Sequence, residues 1–133
     1  MSAAHGGHWL EREDVGDVTL VRVKLARLGD DDTQELFQQI YSLVDDMGRC
    51  NLIVSLRAVD YLPSLALGKL LMLNRKTQAA QGRLALCHLT PSVDEIFQVT
   101  HLGDLIPICQ TEEEALELVR EPPPPPGDEG NAP

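Results

Sequence analysis

The side chains that could bind a metal ion or transfer a proton are few in this chain, and they are scattered. His5 and His8 enclose two glycines near the N-terminus and could hold a metal ion loosely. Glycine-rich terminal histidines are far more often disordered than ligating, so we favour a flexible segment there. His88 follows a predicted strand and His101 lies in a predicted turn, and each is isolated, as loop histidines usually are. The histidines therefore predict no metal site.

The spacing of cysteines and carboxylates gives no stronger sign of catalysis. Cys50, Cys87 and Cys109 are an odd set without a CxxC pair, each beside or inside an apolar segment, which is typical of reduced core residues. The acidic runs at residues 45–46 and 112–114 have the pattern of solvated helix faces. The sequence has no phosphate-binding, dinucleotide-binding, zinc-protease or serine-hydrolase motif. We therefore expect a protein that is not an enzyme and that needs no cofactor or metal.

Length and charge narrow the class of protein further. The 133 residues have room for one domain. The 21 acidic and 11 basic side chains give a formal net charge of -10, which repels phosphate backbones, so we expect no nucleic-acid partner. No apolar run approaches the roughly 20 residues that cross a bilayer, and the N-terminus lacks a secretion signal pattern. We therefore expect no membrane insertion and a cytoplasmic location.

The two ends of the chain differ in composition from the middle. We predict that residues 1–8 are flexible, that residues 9–120 form the domain and that residues 121–133 are a disordered acidic tail. The tail begins with a proline run at residues 122–126 and has almost no apolar side chains to bury. A proline run can also dock in an aromatic groove of a partner, but a solvated spacer is the commoner role.

A β-hairpin is predicted at the start of the domain. Two short strands, at residues 9–12 and 18–25, flank a turn at residues 14–17. In the second strand Thr19, Val21 and Val23 alternate with Arg22 and Lys24. This alternation predicts one buried and one wet face, as in an antiparallel edge.

Helix and strand patterns alternate after the hairpin. The first helix is predicted to begin at an Asp32 or Thr33 cap. Pro107 cannot donate to a sheet ladder, so the strand that contains it is expected at an edge. The remaining patterns predict strands at residues 51–56, 83–87 and 105–108, and helices at residues 63–81, after the cap pair 90–91 and after the capping box 111–114. This order predicts an α/β fold with a mixed, mostly parallel sheet of about five strands and about four helices.

Residues 51–62 read N-L-I-V-S-L-R-A-V-D-Y-L, an apolar strand followed by a loop. This segment closely resembles the strand and loop of bacterial STAS domains (sulphate transporter and anti-sigma factor antagonist), of the anti-sigma factor antagonist type. In that family the strand leads through an aromatic-containing turn to a polar motif, Asp-Ser-Ser-Gly or a close variant, at the start of a helix. Residues 80–86, 90–97 and 102–116 agree as well, and the resemblance extends from about Val18 to Val119.

The resemblance also implies how such a domain is regulated. Family members of the regulatory kind bind an anti-sigma factor that is also a serine kinase, and phosphorylation of the second serine ends the interaction. In this chain Pro63 stands in place of the aspartate, Ser64 matches the first serine, Leu65 stands at the acceptor position and Ala66 replaces the glycine. The usual acceptor is therefore lost. Ser64 could replace it if the loop register differs by one residue; alternatively, Ser64 only hydrogen-bonds a free N–H of the first helical turn.

The function that the resemblance implies is a non-catalytic regulatory module that binds an anti-sigma factor or a related serine-kinase ATPase. Leu65 is expected either in the core or, if it projects beside Leu62, in a small apolar patch. The alternatives are an accessory subunit of an ABC-type lipid transporter and a sensor of a small ligand or nucleotide in the cleft at the carboxyl ends of the strands. Self-association as a homodimer through the hairpin edge also stays open. The expected partner-binding residues are Asp60, Tyr61, Leu62, Pro63, Ser64, Leu65, Ala66 and Gly68.

Overall fold

A computed structural model describes residues 10–120 of the chain. Its five strands form one sheet in the order in which they occur in the chain, and only the first two strands pair antiparallel. The predicted α/β class, the mixed sheet and the number of helices are thus confirmed. Trp9 and the predicted flexible ends, residues 1–8 and 121–133, lie outside the described residues. The elements are β1 (Leu10–Val15), β2 (Val18–Val23), α1 (Asp30–Asp45), β3 (Asn51–Ser55), α2 (Ser64–Ala79), β4 (Leu84–Cys87), α3 (Pro91–Thr100), a 3₁₀ turn (Leu102–Asp104), β5 (Ile108–Cys109) and α4 (Glu112–Arg120).

The sheet has a hydrophobic core on each of its faces. On one face, Leu52 and Val54 of β3 pack in a large cluster with residues of α1, α2 and α3. On the other face, Ile53 packs with Ala115 and Val119 of α4. Alternate residues of β3 therefore point into different cores, which explains why this strand is almost continuously apolar, as predicted for a central strand covered on both sides.

The hairpin is present, but β2 is not the half-wet strand that the alternation predicts. Val18 and Leu20 are buried in the core under α4, and Arg22 on the same face is half-buried because it pairs with Glu112 of α4. The prediction was wrong because the covering helix comes from the far end of the chain. The exposed edge is instead β1, where residues 11–14 are all charged and exposed, a composition that discourages strand pairing with other chains.

The start of α1 also differs from the prediction. The N-cap is Gly29, not Asp32 or Thr33. Asp32 accepts a hydrogen bond from the Gly29 backbone N–H at 3.4 Å, and the Thr33 hydroxyl donates to the Gly29 carbonyl at 2.7 Å. Both residues therefore support the first turn from inside the helix. The three aspartates of this turn also lie beside the positive end of the helix dipole, where negative charge is stabilising.

The last strand is shorter and later than predicted. Leu105 and Ile106 donate backbone hydrogen bonds to the Leu102 carbonyl and so belong to the preceding turn, which leaves only Ile108–Cys109 as β5. Pro107 accepts from the backbone N–H of Leu86, a role that needs no donor of its own. The predicted edge position is confirmed.

The caps of the last two helices follow the sequence closely. The Thr90 hydroxyl accepts from the backbone N–H of Val93, with a proline next to it in the first turn of α3. The Thr111 hydroxyl likewise accepts from Glu114, whose own carboxylate accepts from the backbone N–H of Gln110 rather than from Thr111. Within residues 10–120, no helix combines the length and apolar character that crossing a membrane requires.

Candidate functional site

The loop between β3 and α2 is held firmly against its neighbours. The backbone N–H groups of Asp60 and Tyr61 both donate to the carbonyl of Ala26, at 2.7 and 3.3 Å, which ties the loop to the segment after β2. On the other side, the Thr90 hydroxyl donates to the Val59 carbonyl at 2.9 Å, which ties the loop to the start of α3. Val59 and Leu62 are buried at the base. The loop, residues 56–63, is therefore held by hydrogen bonds on both sides, and we call it the platform.

The start of α2 presents its first hydroxyl to solvent. Pro63 is the N-cap, one residue before the helix, and its carbonyl accepts from the backbone N–H groups of Ala66 and Leu67. Ser64 is the first helical residue and is exposed. Its hydroxyl makes no hydrogen bond to any other residue in the range 10–120, so the capping role considered for it is not seen there. A free hydroxyl beside the positive end of a helix is compatible with an added phosphate.

The residues expected to bind a partner divide into three groups. Leu62 is 3% exposed and Ala66 is fully buried, so both face the core and position their neighbours. Because Leu62 is buried, the apolar patch of Leu65 beside Leu62 does not form. Pro63 and Leu65 are half-buried, and Asp60, Tyr61, Ser64 and Gly68 are exposed to solvent.

One residue of this surface was missed by the sequence analysis. Arg27 forms an isolated parallel bridge with Tyr61, and its guanidinium group lies 5.0 Å from the centre of the Tyr61 ring. The cation above the ring restrains a tyrosine that is 43% exposed. No local pattern marks Arg27, because its contact depends on how β2 and β3 pair.

A charged cluster lies at the carboxyl ends of the strands, next to the loop. Arg22 donates two hydrogen bonds to Glu112, at 2.9 and 3.0 Å, and these hydrogen bonds hold the pKa of the Glu112 carboxyl below its usual value. Arg57 lies 3.0 Å from His88 Nε2, and His88 adopts a left-handed φ of 57°. Together with Lys24, Arg22, Arg57 and Glu112 line a cavity of about 320 Å³, and Arg57 and His88 line a second of about 710 Å³.

This cluster is poorly equipped for covalent chemistry. Cys87 is fully buried, and burial raises the pKa of its thiol to about 11, so the nucleophilic thiolate is scarce at neutral pH. Burial also raises the pKa of Cys109, its register partner on β5. Among residues 10–120, no three histidine, cysteine or acidic side chains come together as metal ligands. The three cysteines are free, but only Cys87 is a fully buried core residue; Cys50 and Cys109 are half-buried.

A family model of the STAS domain matches residues 14–115 of the sequence, which includes the platform, the charged cluster and the start of α4. The chain belongs to the STAS domain family. BtrV of Bordetella bronchiseptica, named as an anti-sigma factor antagonist, is 30% identical over 70 residues, which are 53% of this chain. That match spans 60% of the length of BtrV.

Solved STAS structures share the fold over most of the chain. A Thermotoga maritima protein described as an anti-sigma factor antagonist superposes with a TM-score of 0.79 at 21% identity, covering 86% of this chain and 97% of its own. SpoIIAA of Bacillus, an anti-sigma factor antagonist solved in unphosphorylated and phosphorylated forms, gives a TM-score of 0.72 for the unphosphorylated form. Its identity is 24%, over 84% of this chain and 96% of SpoIIAA.

Proposed function

We propose that this STAS domain is a non-catalytic regulatory module that binds an anti-sigma factor or a related serine-kinase ATPase. The observation that carries the proposal is the platform, where Asp60 and Tyr61 face solvent on a backbone held at both sides, next to the exposed Ser64 and Gly68 of α2. A preformed surface loses little conformational entropy on binding, so it favours recognition of another protein. The names of the relatives, anti-sigma factor antagonists, support the same class of partner. We also propose that this chain acts in the cytoplasm.

We further propose that the family's phosphorylation switch is absent at its usual position in this chain. Leu65 stands where the resemblance places the phospho-acceptor, and a leucine side chain cannot carry a phosphate. Ser64 is exposed and is the one remaining hydroxyl at the helix start, so it is the substitute acceptor if a cognate kinase reaches it. Without phosphate, which adds about -1.5 to -2 charges, the surface stays in its binding state. The module would then act as a constitutive partner.

The test is binding between the full chain and each purified serine-kinase ATPase domain from the same genome, measured by calorimetry. We expect a one-to-one complex that Tyr61→Ala weakens by about tenfold, because an exposed aromatic anchor commonly contributes more than 1 kcal/mol. Val99→Ala is the matched control, since Val99 is 71% exposed on α3, and it should leave the affinity unchanged. Binding to none of these ATPase domains would overturn the proposed function.

Phosphorylation is tested in the same complexes. After incubation with ATP and magnesium, mass spectrometry of the peptide that contains Ser64 and Leu65 should show no phosphate. Leu65→Ser should accept one phosphate and release the ATPase, because it restores the hydroxyl at the family position. A stoichiometric phosphate on Ser64 of the unaltered chain would contradict the constitutive role and move the switch by one residue.

A further inference from the structure

The charges of this acidic chain are strongly segregated. No aspartate or glutamate occurs from residue 61 to residue 93, and four cations do: Lys69, Arg75, Lys76 and Arg83. All 21 carboxylates therefore lie outside this segment, together with only seven of the 11 basic side chains. Three of the four cations belong to α2, the helix that begins at the platform. This helix is a cationic element in a protein of net charge -10.

One side of α2 faces solvent along its whole length. Ala66, Leu70 and Leu73 are buried against the sheet. The exposed residues recur every three or four positions, as expected for a single face of an α-helix. We call them the α2 stripe: Ser64, Gly68, Met72, Arg75, Gln78 and Ala79. The stripe starts with Ser64, so it is continuous with the platform.

The stripe carries one charged side chain, Arg75, while the half-buried Lys69 and Lys76 beside it lie over the ring of Tyr41. Lys76 is paired with Asp45 at 2.9 Å, whereas neither Lys69 nor Arg75 forms an ion pair with any residue in the range 10–120. Met72 is 45% exposed. On the flank of α2, the Asn74 side chain donates a hydrogen bond to the backbone carbonyl of Leu105. Leu105 is 57% exposed and is a second large apolar residue near the helix.

We propose that the α2 stripe extends the partner-binding surface and receives an acidic face of the ATPase partner, with an apolar side chain packed on Met72. The proposal rests on the proposed function and adds the chemistry of the partner and its orientation. An acidic partner face is repelled by most of this chain and attracted by α2, so the charge pattern selects one docking direction. Met72 supplies the unbranched, adaptable apolar contact that such an interface uses at its centre.

The test is association of the full chain with a purified serine-kinase ATPase domain from the same genome, followed by surface plasmon resonance. Raising the salt from about 50 to about 300 mM should slow association about tenfold, because long-range attraction is screened. Arg75→Glu should reduce the affinity about tenfold, mainly through the association rate. Met72→Ser should do so mainly through faster dissociation, as the loss of a packed apolar contact does.

Two controls make the same chemical changes elsewhere. Arg120→Glu reverses an exposed charge at the end of α4, which packs on the opposite face of the sheet. Met47→Ser alters a methionine that is 52% exposed after α1. The affinity of both control variants for the ATPase domain should lie within about twofold of that of the unaltered chain, because surface changes outside an interface are close to neutral. Arg75 and Met72 are exposed, so their variants should fold, which their melting temperatures will verify.

The outcomes separate the two proposals. If an ATPase domain binds but Arg75→Glu behaves like Arg120→Glu, the α2 stripe is not the docking surface and only this inference is overturned. If no ATPase domain binds, the proposed function is overturned and this inference with it. A chain shortened to residues 1–120 should bind as tightly as the full chain. Tighter binding by the shortened chain would identify its own acidic tail as the occupant of the stripe and would also overturn the inference.

Discussion

The ion pair between Arg22 and Glu112 should contribute measurably to stability, because it joins β2 to the first residue of α4. Both side chains are about three-quarters buried, at 27% and 24% exposure, and the two hydrogen bonds are 2.9 and 3.0 Å long. Exposed pairs contribute up to about 1 kcal/mol, and hydrogen bonds to charged groups about 1.5–3 kcal/mol. Glu112→Gln keeps the shape and one acceptor, so we expect it to lower the free energy of unfolding by about 1 kcal/mol. For a domain of this size that is a fall of about 4–6 °C in melting temperature.

The same pair makes a prediction about pH. Arg22 lowers the pKa of Glu112 in the folded state, so the carboxylate stabilises the fold above its unfolded-state pKa of about 4.3. That contribution is lost as the pH falls through the folded-state pKa. The difference in stability between the unaltered chain and Glu112→Gln should therefore be complete at pH 7 and should shrink from about pH 5 downward.

The assay is urea unfolding at several pH values, with Glu113→Gln as the control. Glu113 is exposed and lies in the same helical turn, so its variant loses the same interaction with the helix dipole but no ion pair with residues 10–120. The free energy of unfolding of Glu113→Gln should stay within about 0.5 kcal/mol of that of the unaltered chain. Equal losses in the two variants at pH 7, or a Glu112→Gln difference that is as large at pH 4 as at pH 7, would refute the reasoning.

Three further predictions concern backbone geometry and thiol chemistry. Gly82→Ala should lower the free energy of unfolding by about 3 kcal/mol or more in urea titrations, because the new Cβ overlaps the Cys50 carbonyl group, which belongs to the backbone. Gly68→Ala, in open space on α2, should instead raise it by about 0.5–1 kcal/mol, and the opposite order would contradict the packing at Gly82. Gln81→Gly should raise the melting temperature by a few degrees, since Gln81 has a φ of 68° after α2; no change would mean that this backbone is unstrained. Cys87 should react with a thiol reagent at pH 8 only after unfolding, because it is buried with a raised pKa; rapid labelling of the native chain, located by peptide mass mapping, would disprove this.

The elements that were predicted well depend on neighbours in sequence. The apolar run of β3, the helical spacing of α2 and the caps at Thr90 and Thr111 are local signals, and the structure has each element within a few residues of the prediction. One error arose where a distant segment decides. Arg22 looked like the wet side of an edge strand until α4, from the far end of the chain, covered it. The error around Pro107 was instead a local one, because Leu105 and Ile106 donate to the Leu102 carbonyl and close a turn that shortens the strand.

The candidate site shows the same division at the scale of single side chains. The resemblance located the loop, but the segment L-P-S-L-A-L offers three leucines and no local rule for which of them is exposed. Once Ala66 and Leu70 set the buried face of α2, Leu65 is rotated by about 100° from Ala66 and must lie at the margin of that face. A residue at this margin is half-buried, which suits leucine. A serine there would lose only part of the free energy that a fully buried leucine contributes, about 1 kcal/mol. The helix can therefore accept either residue at position 65, so Leu65→Ser should fold and can be used to test the acceptor position.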